Sequence, residues 1–191
     1  MRILTMDPGT KCYGTSVLDV VVKNDELKVR IVAAGMLERP IQNPLNAAVE
    51  ARAFKANIYH LEHLYGPFGL VCAERFQSRG LKGKTVESIG FMIGTLLDIF
   101  PNNLVLYTAG TWKNAFNRIN TEHPLNDVYD DLKDLTAPKP KAERHQIHEL
   151  DSSLMGQYHA AKHFGLTPFA NMHGTKRITA YLKHFDSAAK L

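Results

Sequence analysis

Apolar residues fall into short runs near the start of the chain and into three- and four-residue spacings further on. The run Arg2–Met6 is too short to show a period, but the turn signal Pro8-Gly9 bounds it as a first strand. Tyr13–Val22 and Leu27–Gly35 read as two more strands around the polar turn Asn24-Asp25-Glu26, so an antiparallel meander is predicted. Leu45, Ala48, Ala51, Phe54, Ile58, Leu61 and Leu64 then recur at threes and fours, one face of a long helix that Gly66-Pro67 ends. Leu70–Ala73 is a short apolar run, a buried strand closing on Glu74. Thr85–Phe100 reads as a helix stopped by Pro101, Leu104–Tyr107 as a strand, and Gly110–Arg118 as helical. Residues 120–143 are polar and proline-bearing, a loop with a helical turn or two near Asp127–Leu135. Glu143–Phe164 is the last strong helix, closed by Gly165, and Gly174–Phe185 is one more helical stretch.

Three hairpin-linked strands followed by alternating helix and strand predict an α/β fold. Its sheet is mixed and five-stranded, three antiparallel strands then parallel ones, with helices on both faces. The 191 residues suffice for one core and not for two, which gives a single domain over 1–191, with its core at about 2–165 and an extension at 166–191.

Composition narrows this picture. With 45% hydrophobic residues and ordinary glycine and proline, the chain is neither disordered nor fibrous. A net charge of +4 permits a polyanionic partner without demanding one. Cys12 and Cys72 both fall in strand regions and read as reduced core thiols. No apolar stretch reaches the roughly 18 residues of a membrane span, and the first strand begins almost at once. A soluble cytoplasmic protein with no membrane partner is expected, the host cytoplasm if the gene is viral.

The candidate chemistry lies where strands end. Asp7 follows the first strand and Glu74 the fourth; if these strands are neighbours, two like charges stand about one strand spacing apart. Such a pair costs stability unless a cation lies between them. On the last helix Ile147, Leu150, Leu154, Tyr158 and Ala161 form the apolar stripe, with His148 and Asp151, three apart, at its border and aimed toward the same rim. Three carboxylates and one imidazole suit Mg²⁺, with Mn²⁺ an alternative, better than zinc. Two such ions about 4 Å apart clamp the attacking and leaving oxygens of a phosphoryl displacement. Each residue alone has an ordinary reading: a turn aspartate, a surface glutamate, a helix-surface histidine. The combination carries the metal reading. His60 and His63 lack a third ligand nearby, and His145, His159 and His163 read as solvated helix positions.

The stretch after Glu74 carries Arg75, Arg79, Lys82 and Lys84 with no acid among them, and with Phe76 and Gln77 between. Cations hold phosphates, an aromatic wedges or stacks on a base, and glutamine reads a base edge. Lys113, after the fifth strand, adds a further phosphate contact, while Trp112 reads as a packing residue. Lys176, Arg177 and Lys183 extend the basic footprint.

Together these parts resemble the RuvC family of Holliday-junction resolvases, within the ribonuclease H-like superfamily. The residues that carry the likeness are ILTMDPGTKCYGTSVLD from residue 3, VCAERF from residue 71, and HELDSSLMGQYHAA from residue 148. The family's last motif sets an acid or histidine three residues before an aspartate, as His148 stands before Asp151. YTAGTWK resembles the family's strand leading to a functional lysine, here Lys113. The resemblance implies a homodimer that cuts branched DNA, four-way junctions above all, by paired metal-dependent nicks leaving 5′-phosphate and 3′-hydroxyl ends. It implies catalytic and metal-binding roles for Asp7, Glu74, His148 and Asp151, with two ions per site, and it puts Phe76 in the place of a DNA-wedging phenylalanine. The polar segment before His148 and the tail beyond Gly165 depart from the bacterial pattern and point to a phage or other viral relative.

Other readings compete. Half of an actin-like ATPase also opens with a strand and an Asp-x-Gly-Thr loop, but no second phosphate motif follows here. An inactive nucleic-acid-binding module has little reason to keep three acids together. A generic nuclease of the same superfamily is the nearest alternative.

Overall fold

The computed structural model describes residues 1–8, 12–23, 26–38, 47–75, 83–112 and 143–163. Strands β1 (Arg2–Pro8), β2 (Cys12–Lys23) and β3 (Glu26–Glu38) precede helix α1 (Ala47–Tyr65). β4 (Leu70–Arg75), α2 (Gly83–Ile99), β5 (Leu104–Thr108) and α3 (Glu143–His163) follow. The sheet order is β3-β2-β1-β4-β5. The β1–β2 and β2–β3 pairs are antiparallel, and the β1–β4 and β4–β5 pairs are parallel. Parallel neighbours need crossovers, and α1 and α2 lie in those connections. The five-stranded mixed sheet is the one the pattern predicts.

Alternation along the strands divides the core in two. Leu4, Met6, Val17 and Val71 face α1 and α2, where Phe54, Ile58, Met92 and Leu96 meet them. Ile3, Leu18, Cys72 and Tyr107 face α3 and its Leu154 and Met155. Cys72 is a buried free thiol, as its strand position predicts, and burial pushes its pKa up. The α1 stripe holds at its centre, where Phe54 and Ile58 are buried, while Ala48 and Leu64 at its ends are exposed.

One expectation changes and one is extended. β1 runs on through Asp7 to Pro8, since Asp7 pairs with Gly14 and Pro8 with Tyr13. The aspartate therefore belongs to the ladder rather than to the turn beyond it, which fixes its height. The sheet-facing side of α3 carries the predicted stripe where it is described, with Leu154, Tyr158 and Ala161 packed on the sheet, but that stripe is only part of it. Beside that apolar contact, small polar residues also meet β2: Ser16 Oγ lies 2.7 Å from Ser152 Oγ and 2.6 Å from Ser153 Oγ. One turn on, a Cβ added to Gly156 would stand 2.6 Å from Leu18 Cδ1 and 2.7 Å from Thr5 Cγ2. The helix comes this close because its contact residues are small. Among the described residues, no helix is long and apolar enough to cross a membrane.

Candidate active site

Register sets the site. Met6 pairs with Ala73 in the parallel β1–β4 ladder, so the next residues, Asp7 and Glu74, stand level at the same end of neighbouring strands. Paired residues of a sheet point to one face, and here it is the α3 face, shared with Ile3 and Cys72. Asp7 is only 3% exposed, and a buried carboxylate is costly without a partner. α3 supplies one: His148 Nδ1 lies 2.5 Å from Asp7 Oδ2, across 141 positions of chain. The carboxylate accepts, so this nitrogen carries the proton, and in the neutral ring the lone pair is left on Nε2. Asp151 follows one turn along α3 and is 9% exposed. Glu74 is half-buried, and its Oε2 accepts a 3.0 Å hydrogen bond from Trp112 Nε1.

The structure thus brings Asp7 and His148 into contact, sets Glu74 level with Asp7, and places Asp151 on the same helix as His148. It does not close them into a cage. Among the described residues, no three His, Cys, Asp or Glu side chains form a group that could hold a metal ion as they stand. The donor chemistry still fits a hard divalent ion. Two carboxylates with the same facing at one height repel, and the groups nearest them in chemistry are oxygens and one imidazole. Asp7, Glu74, Asp151 and His148 are the residues that would hold it.

Arg75, one past Glu74 and level with Thr108 on β5, is exposed at the rim. Lys84 lies in the first turn of α2. Phe76, Gln77, Arg79, Lys82 and Lys113 lie outside the described residues. His60 and His63 are both exposed on α1.

Two residues escaped the sequence reading. Trp112 packs in the core as expected, at 1% exposure, but its indole nitrogen reaches Glu74, 38 positions earlier. His159 is 7% exposed rather than solvated, and its Nδ1 is hydrogen-bonded with Tyr107 Oη at 2.6 Å. Its Nε2 is buried and has no hydrogen-bond partner among the described residues. Burial, then His163 and Lys162 nearby, depress its pKa from 6.5 to about 4. The unfolded chain therefore binds a proton that the folded one refuses between those values. This part of the stability is fully present above pH 6.5 and is lost as pH falls toward 4. The expected loss is on the order of 2 kcal/mol. Urea unfolding of the wild type and His159→Phe at pH 7 and pH 4.5 checks it. Equal pH dependence in the two proteins would show that His159 is not the group responsible.

No protein-family model matches this sequence, and no curated protein matches it. Solved structures do match its fold. RuvC of Thermus thermophilus in complex with a Holliday junction substrate superposes with a TM-score of 0.60 at 19% identity, covering 87% of this chain and 98% of that one. The yeast mitochondrial Holliday junction resolvase Ydc2 gives 0.56 at 14% identity, over 98% of this chain and 82% of that one. The fowlpox virus resolvase in complex with Holliday junction DNA gives 0.52 at 12% identity, over 85% and 98%. The chain has the ribonuclease H-like fold of these resolvases.

Proposed function

We propose that this protein is a structure-selective endonuclease, a crossover junction endodeoxyribonuclease that resolves four-way junctions and other branched DNA. The observation that carries the reading is the meeting of Asp7 on β1 with His148 on α3, beside a Glu74 held level with Asp7 by the parallel ladder. The likeness in fold to resolvases solved with junction DNA supports the substrate class. Magnesium or manganese ions, two per site, would supply charge neutralisation at the leaving 3′-oxygen and acidify an attacking water. Asp7, Glu74 and Asp151 provide the negative oxygens for them. His148, oriented through Nδ1 by Asp7, presents Nε2 either as a ligand or to take a proton. Arg75 at the rim, with the basic residues that follow it in sequence, grips phosphates. Hydrolysis at the 3′-oxygen leaves 5′-phosphate and 3′-hydroxyl ends. A junction offers two equivalent strands, so the working form is a two-fold dimer that makes paired nicks.

The deciding assay compares a synthetic four-way junction with a fork, a flap and linear duplex in Mg²⁺. Preferential nicking of the junction, abolished by EDTA, is the expected result. Equal cutting of linear duplex favours a generic nuclease, and preference for an RNA–DNA hybrid favours ribonuclease H activity. Junction binding without cutting, in any divalent ion, is the outcome of an inactive binding module. Sedimentation at working concentration checks the dimer.

Two further results are expected. Junction affinity measured in EDTA falls steeply with salt, with a log–log slope near −0.9 for each phosphate neutralised; a flat response removes the basic stretch after Glu74 from the interface. His148→Asp keeps activity, because it preserves a metal-ligating, proton-accepting group, and His148→Ala loses most of it. Full activity in the alanine variant takes His148 out of the site.

A further inference from the structure

Trp112 is bound to the site by more than packing. It lies in the helical turn described at 109–112, directly after β5, where Thr108 Oγ1 and Thr111 Oγ1 bridge at 2.7 Å. Glu74 pairs with Tyr107 in the β4–β5 ladder, so this turn folds back over the end of the strand that carries Glu74. The indole is 1% exposed and shares a core with Leu154 and Met155 of α3, the helix that bears Asp151 and His148. Its Nε1–H donates to Glu74 Oε2 at 3.0 Å.

The chemistry of this donor is selective. Lysine or arginine at the same place would neutralise Glu74 and repel a cation. Serine or histidine would bring an acceptor of its own to compete with the carboxylate. An indole N–H has neither charge nor acceptor, and its ring is too large to turn inside a packed core. It can fix one carboxylate oxygen without adding a charge of its own. Resting on the reading of Glu74 as a ligand, we propose that Trp112 is a positioning residue for metal binding. It holds Glu74 in one rotamer at a set distance from the helix that supplies Asp151 and His148. A buried indole that only satisfies its own N–H is the competing account.

Replacing Trp112 by β-(3-benzothienyl)alanine exchanges the N–H for sulfur and preserves ring shape, and Trp112→Phe serves as a second variant. Mn²⁺ affinity is measured by calorimetry on the DNA-free protein, and half-saturating Mg²⁺ by junction nicking. Both are expected to weaken by about 10-fold in the isostere, the lower end of what loss of a ligand's supporting hydrogen bond costs. The rate at saturating metal should stay within a few-fold of wild type, and junction affinity in EDTA should not change. Wild-type metal affinity in the isostere, with or without a lower melting temperature, overturns the proposal and leaves the nuclease reading intact. A wild-type protein that binds no Mn²⁺ and cuts no junction overturns both.

Discussion

Asp7→Asn is expected to slow junction nicking by on the order of 10³-fold, about 4 kcal/mol of transition-state stabilisation, while junction affinity in EDTA stays within about two-fold of wild type. The substitution keeps shape and removes charge. Asn Oδ1 accepts the proton of His148 Nδ1 as the carboxylate does, so the 2.5 Å contact to α3 has a replacement and the helix keeps its anchor. What disappears is the negative oxygen beside Glu74. The phosphate contacts proposed for Arg75 and the basic residues after it do not involve the Asp7 charge, so binding and cutting separate. Stability gives a second reading of the same change. Asp7 is buried and level with another carboxylate, so neutralising it relieves desolvation and repulsion. The melting temperature should hold or rise. A variant that keeps a tenth or more of the wild-type rate removes Asp7 from the chemistry. One that melts many degrees lower makes it a structural anchor for His148.

The separation of roles rests on where the residues come from. Asp7 and Glu74 are placed by strand register, which a side-chain substitution does not disturb. His148 and Asp151 are placed by the docking of α3, which depends on the small residues under it. A change in the first pair therefore reports on chemistry, and a change in the packing of α3 moves the second pair as a unit.

This division also explains what could be read from sequence. Asp7 and Glu74 were legible because each ends a short apolar run; that their strands are parallel neighbours stood only as a condition in the sequence and comes from the sheet order. His148 and Asp151 were legible through helical spacing, which sets residues three apart on one face. The contact face of α3 is legible in its apolar part, Leu154, Tyr158 and Ala161, and not in its small-residue part, for a physical reason. Reading apolar periodicity weighs large side chains, whereas the approach to β2 is set by Ser152, Ser153 and Gly156, residues that count little toward such a stripe. Their spacing, with Ala160 one turn further, was the available signal. His159 and Trp112 were beyond sequence alone. Each is defined by a partner on another element, Tyr107 and Glu74, and nothing in the local pattern of either residue announces it. The extent of β1 was missed because proline ends a ladder's donors without ending its backbone path: Pro8 still pairs opposite Tyr13.

Gly156 offers the sharpest test of how α3 is seated. In an exposed helix, Gly→Ala adds stability, by about 1 kcal/mol. Here the added methyl meets Leu18 Cδ1 at 2.6 Å and Thr5 Cγ2 at 2.7 Å. Leu18 and Thr5 are both fully buried, and Thr5 is a branched side chain whose hydroxyl donates to Ser16 O at 3.2 Å, so it has little freedom to turn away. The helix must lift or the core must shift, and overpacking of this kind costs about 1–3 kcal/mol for one methyl. The net expectation for Gly156→Ala is a loss of about 2 kcal/mol in urea unfolding, the opposite sign to that of helix propensity. Gly156→Leu should lose more than about 4 kcal/mol, enough to unfold much of the chain. The effect should reach the active site, since lifting α3 draws His148 away from Asp7. Gly156→Ala should thus lose activity beyond its loss of folded protein, measured as rate per folded molecule well below its melting temperature. An alanine variant more stable than wild type would show that α3 does not press on β1 and β2 here, and the seating of His148 and Asp151 would then need another cause.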